Sequence, residues 1–172
     1  MTSKLKTDVL ETGSGSGTIA LNNQLSGMTA ASMPSGSVVQ VVNGTTNIQT
    51  GSATTTYATT GLTATITPTS TSSKILVLAN QSGVYKNGTN NGGVDLQLIG
   101  GGVLLAQMAS RAAGDSGTVS SAGSVSMSYL DSPASIAAET YHTEFRANSN
   151  SGYAYVQIYS SVSTITLIEI KG

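Results

Sequence analysis

The sequence predicts an all-β protein, an antiparallel β-sandwich with an extended N-terminal arm. Three observations lead there. Ser and Thr fill about 29% of the 172 residues while only 9% are charged, so solubility rests on hydroxyls and amides, and Thr suits a pleated surface. Short alternating runs of apolar and polar residues recur at steady spacing from Ser37 onward. Between them fall Asn-Gly, Gly-Gly and Asp-Ser-Pro clusters, which supply the left-handed or fixed φ that tight turns require.

Residues 1–36 form the expected arm and 37–172 the sandwich. Apolar residues are sparse before Gly36 and Gly13 to Gly17 is a Gly/Ser run, so the arm cannot bury enough surface to offset its own ordering entropy. Its two short strands, Leu5 to Leu10 and Thr18 to Leu21, mark it as a docking segment ordered by a partner. Leu5, Val9, Leu10, Ile19 and Leu21 are the residues that would dock.

The sandwich opens with a strand at Val38 to Val42. Gly61 to Val77 then reads as a β-hairpin: Leu62, Ala64 and Ile66 alternate with Thr63, Thr65 and Thr67, and Pro68 ends the ladder. Lys74 to Gln81 follows, and its run Ile75 to Ala79 is apolar on both faces, which suits a strand buried on both sides. Strands at Val94 to Ile99 and Val103 to Met108 flank Gly100-Gly101-Gly102, a hairpin connection. Val125, Met127 and Tyr129 alternate with serines, and Tyr141, Thr143 and Phe145 alternate with His142, Glu144 and Arg146, giving two half-buried strands. Asp131-Ser132-Pro133 is a turn, and Ser132 to Glu139 is the best candidate for a short helix. Strands at Tyr153 to Tyr159 and Thr164 to Ile170 close the chain.

The last strand is apolar on both faces, Ile165 and Leu167 on one and Ile168 and Ile170 on the other. A strand lying along a threefold axis between copies explains that pattern, and so does a central strand of a single subunit. Tyr153, Tyr155 and Tyr159 share one face of the preceding strand. Turned to solvent they would form a platform for a glycan or receptor; turned inward, a subunit interface or core stripe. The apolar opposite face, Ala154, Val156 and Ile158, favours the second reading.

Composition excludes several function classes. A formal charge of -1 leaves no basic patch for nucleic acid, and no apolar run is long enough for a membrane span. Met1 to Leu10 lacks the apolar core of a signal peptide, so synthesis in a cytoplasm is expected. The absence of Cys removes disulfides, thiolate catalysis and Cys-based zinc sites. His142 is the only histidine and lies on a polar strand face, and no spacing pairs the eight carboxylates for hydrolysis. No catalytic, metal or cofactor site is expected.

Several segments carry a family resemblance: Lys4 to Thr12, Gly17 to Leu21, Met33 to Val41, Gly61 to Val77, Tyr129 to Ala134, and Ser163 to Gly172. Together they resemble the fibre and virion-surface proteins of bacteriophages, particularly marine and cyanobacterial ones. The resemblance implies a homotrimeric, jelly-roll-like C-terminal domain of the tumour-necrosis-factor or C1q type, tethered to other capsid or tail proteins by its N-terminal segment. It implies a virion-surface location and a non-enzymatic role in host attachment. A capsid decoration (cement or head-fibre) protein and, further off, a fibre-borne glycan hydrolase are the alternatives. The subunit interface expected on this reading is Tyr153, Tyr155, Tyr159, Ile165, Leu167, Ile168 and Ile170. The adhesive loops, facing a host glycan or receptor, are Asn87, Asn90, Asn91, Arg111, Asp115, Asn148 and Asn150.

Overall fold

A computed structural model describes residues 32–88, 92–115, 122–149 and 152–172. The expected arm strands and docking residues Leu5, Val9, Leu10, Ile19 and Leu21 lie outside the described residues, as do the loop residues Asn90, Asn91 and Asn150. The described strands are β1 (Val38–Thr46), β2 (Thr50–Ser52), β3 (Ala58–Ile66), β4 (Lys74–Asn87), β5 (Gly92–Gly100), β6 (Val103–Asp115), β7 (Ala122–Asp131), β8 (Glu139–Ala147), β9 (Tyr153–Val156) and β10 (Ser163–Ile170).

They form two antiparallel sheets, and β4 organises the first. One edge of β4 carries β7 from Ile75 to Tyr85; the other carries β10 from Lys74 to Asn80 and then β9 from Tyr85 to Asn87. Because β1 and β2 pair with β10 and β9 in turn, each couple is one interrupted strand. The first sheet therefore runs β1/β2, β10/β9, β4, β7, and the second β3, β8, β5, β6. Eight strand lines alternating between two four-stranded sheets in this order make a jelly roll.

The inner faces bury one another. Leu62 and Ile66 of β3, Leu98 of β5 and Tyr141 of β8 meet Ile75, Val77, Ile165 and Leu167 of the first sheet in one apolar cluster. A second gathers Val84, Val94, Leu96, Phe145, Ala154 and Val156. Among these, Leu96 and Phe145 are fully buried. A buried polar chain links the sheets: Thr60 and Thr143 share a 2.6 Å hydroxyl contact, Thr143 donates to Gln81 Oε1 (2.9 Å), and Gln81 Nε2 donates to Ser163 Oγ (2.9 Å). Every member has a partner, so the chain fixes register at little desolvation cost.

At Ser82 and Gly83 β4 bulges. Gln81 opposes Val125 while Val84 opposes Gly123, so β4 spends one residue more than β7. Gly83 has φ +59°, and a Cβ there would collide with Ser161 Oγ and the Ile158 amide, which only glycine avoids. An extra residue inverts the side-chain phase. Below the bulge the odd residues Ile75, Val77, Ala79 and Gln81 face inward; above it Val84 and Lys86 do, and Tyr85 and Asn87 turn outward.

Several expectations are corrected. Gly61 to Val77 is not a hairpin: β3 pairs with β8 and β4 with β10 and β7, so residues 67–73 cross between sheets. Two strands with apolar faces gain more by facing each other across the core than by lying side by side. The crossing is anchored by fully buried Glu169, whose carboxylate accepts from Thr69 N and Oγ1 (both 2.7 Å) and from Gln40 Nε2 (2.6 Å). Ser132 to Glu139 is an irregular loop up to the start of β8, with Ala134 at φ +51° after Pro133. The strand expected over Tyr153 to Tyr159 stops at Val156, where Gln157 takes φ +55°. Gly100-Gly101-Gly102 does form a hairpin, with Gly101 and Gly102 both at positive φ, as a twisted two-residue turn requires.

Candidate functional site

Two regions on the outer surface of the first sheet and one on the second stand out. At the lower end of the first sheet, strand register places Val41, Ile168, Leu76 and Leu130 in one row across four strands. Val38 and Ile170 lie on one side of this row and Leu78 on the other. Val41 is 57% exposed, Leu130 50% and Leu78 41%. Alternation makes one face of a sheet apolar as a rule; here the outer face is apolar as well.

Further up, the next two rows turn polar: Asn43, Thr166 and Ser128 flank Leu78, and Thr45, Thr164, Asn80 and Ser126 follow. Above the bulge comes a tyrosine group. Tyr85 of β4 opposes Tyr155 of β9, with ring centroids 6.1 Å apart and planes tilted by 45°. Tyr153 stacks on Tyr155 at 6.0 Å and 22°. Tyr155 has room to lie flat because its β2 neighbour is Gly51, where a Cβ would press into the ring at 2.6 Å.

Beside the rings, residues 157–160 form a strained turn. Gln157, Tyr159 and Ser160 have φ of 55°, 55° and 58°. Non-glycine residues in this region are costly and persist only when surroundings enforce them. Here the Gln157 amide N–H donates to Ser82 O (3.0 Å), and its buried side chain lies against Ser163 Oγ (3.2 Å). Ser161 Oγ donates to Ile158 O (2.7 Å). The turn buries Ile158 and leaves the Tyr159 side chain 90% exposed. Gln49, Tyr85, Asn87, Tyr155, Ile158 and Tyr159 enclose an open cleft of about 220 Å³.

Around Asp95 the outer face of the second sheet is polar, while its hairpin end exposes Val103 and Leu104. Asp95, 1% exposed, accepts from Arg146 Nε (3.0 Å), Asn148 Nδ2 (3.1 and 3.0 Å), Ser110 Oγ (3.3 Å) and the Arg111 amide (2.9 Å). Burial pushes its carboxyl up, but the Arg111 amide, Asn148 and Arg146 outweigh that and hold it below the ordinary aspartate value. Arg146 also sits 4.5 Å over the Tyr57 ring. His142 lies 3.4 Å from Glu144, on the polar face its alternation indicates.

Of the expected interface residues, Ile165 and Leu167 are fully buried in the subunit's own core, and the reason is their inward phase on β10. They are not part of the subunit's own surface. Ile168 and Ile170 are half-buried on the outer face. Tyr153 and Tyr155 point outward, so the tyrosine stripe is not a core stripe. Among the loop residues, Asn87 and Arg111 are exposed, whereas the Asn148 amide is spent on Asp95. Asp115 closes β6, and its side chain lies outside the described residues. Sequence reasoning missed Tyr85, Gln49 and the apolar row. Gly83, a glycine amid an apolar strand, was the readable trace of the bulge that exposes Tyr85.

Among the described residues no group of three or more His, Asp or Glu is placed to hold a metal ion, and no helix is long and apolar enough to cross a membrane. The chain matches no protein-family model and no curated protein sequence.

Proposed function

We propose that this chain is a non-enzymatic structural protein of a phage virion, a homotrimeric surface fibre or appendage. Its residues 1–36 attach it to other virion proteins, and its β-sandwich is presented for host attachment. The apolar row Val41, Ile168, Leu76 and Leu130, on the outside of a sheet whose inner face is already satisfied, is the observation that carries this reading. A lone subunit gains nothing from exposing it; a second copy gains by covering it, and no like charges within the row oppose the approach. The phage setting and the threefold count come from the resemblance of the sequence segments named above.

Sedimentation of the purified full chain tests the assembly. A trimer is expected, and Leu130→Glu and Val41→Glu, each placing a carboxylate in the row, are expected to yield monomers with an unchanged circular dichroism spectrum. A wild-type chain that stays monomeric at high micromolar concentration overturns the reading. A reconstruction of the virion then places the trimer on tail or appendage; density at capsid threefold or inter-capsomer positions would make it a decoration protein.

A further inference from the structure

We infer that the tyrosine cleft above the β4 bulge is a binding site for a neutral saccharide, sized for a single pyranose ring. The inference deepens the attachment part of the reading above and rests on that reading for its biological meaning. Its chemistry stands on the cleft itself.

The lining is uncharged throughout: Gln49, Tyr85, Asn87, Tyr155, Ile158 and Tyr159. A ligand bearing a full charge would lose hydration there without finding a counter-charge. The rings of Tyr85 and Tyr155, tilted by 45°, offer electron-rich faces to the slightly positive C–H groups of a sugar's apolar side. At the rim, Gln49 and Asn87 are exposed, and neither spends its side-chain amide on a neighbour among the described residues. An amide offers a donor and an acceptor side by side, which matches adjacent sugar hydroxyls, each both donor and acceptor.

The site is also built in advance. Three residues in left-handed conformation hold Tyr159 out in solvent, and the Gln157 contacts to Ser82 and Ser163 enforce that turn from beneath. Strain held at a surface ring that packs on little else is the mark of a preorganised contact. The polar row of Thr45, Thr164, Asn80 and Ser126 separates the cleft from the aliphatic row, so the two surfaces are distinct. At about 220 Å³ the cleft is smaller than the usual drug-sized pocket, which selects a short ligand.

The chain has no Trp and seven Tyr, so its own emission reports on the site. The full chain is titrated with glucose, galactose, mannose, rhamnose, N-acetylglucosamine and N-acetylgalactosamine, with glucuronate as the charged comparison. Saturation-transfer NMR is read on the same samples. At least one neutral sugar is expected to give a saturable response with a dissociation constant on the order of millimolar. Tyr159→Asn, which tolerates the left-handed backbone, and Asn87→Ala are each expected to weaken it by about tenfold. Gln107→Ala on the other sheet leaves it unchanged. No saturable response to any neutral sugar, a response to glucuronate alone, or affinity untouched in Tyr159→Asn overturns the inference. So does loss of assembly in Tyr159→Asn, which would make the cleft a subunit contact. Sedimentation separates the two readings. A trimer that binds no sugar overturns this inference alone, whereas a monomer that binds sugar supports it and overturns the assembly.

Discussion

Asp95 shows how a charge survives burial in a chain with few charges. Its two oxygens take bonds from Arg146, Asn148, Ser110 and the Arg111 amide, so the carboxylate is solvated by protein in place of water. Replacing it with Ala strands the guanidinium and the amide, and a loss of about 3–5 kcal/mol is expected from urea denaturation. Glu169 is held in the same manner: burial raises its carboxyl, and the bonds from Gln40 and Thr69 bring it below the ordinary value. Both groups titrate lower in the folded chain than unfolded. Their contribution is therefore complete above the ordinary carboxylate range near pH ~4 and is lost as pH falls through the depressed folded values. Thermal melts between pH 7 and pH 2 should show Tm level down to about pH 5 and then falling, and Glu169→Gln should flatten part of that fall.

At the scale of the element, the bulge in β4 decides what the first sheet presents. If β4 kept strict alternation through Ser82 and Gly83, Tyr85 would point into the core and Val84 out. Gly83→Ala meets a positive φ and the Ser161–Ile158 turn together. A cost of about 2–3 kcal/mol is expected, the sum of a strained conformation and a displaced contact. Its mark should be a changed tyrosine near-ultraviolet circular dichroism at a nearly constant far-ultraviolet spectrum, because the turn carrying Tyr159 moves while the strands remain. An unchanged near-ultraviolet spectrum with native stability would show that the bulge does not position the tyrosines. The neighbouring strand makes the complementary point. Leu167→Ala opens a cavity in the core and should cost about 2–5 kcal/mol, whereas Leu130→Ser on the outer face should change the stability of the isolated subunit by less than about 0.5 kcal/mol.

For the whole molecule, the two outer faces differ in kind. The first sheet is aliphatic below and aromatic above; the second carries Asp95, Arg146, Glu144, Gln97 and His142, with Val103 and Leu104 exposed at its hairpin end. An oriented module of this sort can turn one face to its copies and another to solvent. If copies cover the aliphatic row, stability is linked to concentration. The Tm of the wild-type chain should then rise by several degrees between low and high micromolar protein, and that of Leu130→Glu should not. Differential scanning calorimetry across a hundredfold dilution checks this, and a Tm independent of concentration in both would speak against assembly through the row.

Alternation, glycine doublets and hydroxyl-rich composition by themselves determined that this chain is an antiparallel β-sandwich, since side-chain period and turn chemistry are local properties carried by neighbouring residues. They also gave the hairpin at Gly101-Gly102 and the polar face of His142 and Glu144. What they could not determine was which strand faces which. Residues 61–77 contain two well-formed strands, yet whether they pair or oppose each other depends on β8, β10 and β7, far away in sequence. The tertiary structure alone also decided where the apolar surplus goes. The Ile75 to Ala79 run and the Thr164 to Ile170 run both read as buried on two sides, and each is half spent in the subunit's core and half displayed outside it. For the tyrosines, the bulge at Gly83 turned Tyr85 outward beside Tyr155, and three left-handed residues after Val156 held Tyr159 in solvent, so the stripe lies on the outer face and not in the core. Phase counts faithfully along an unbroken strand, and it is lost wherever distant packing stabilises a bulge.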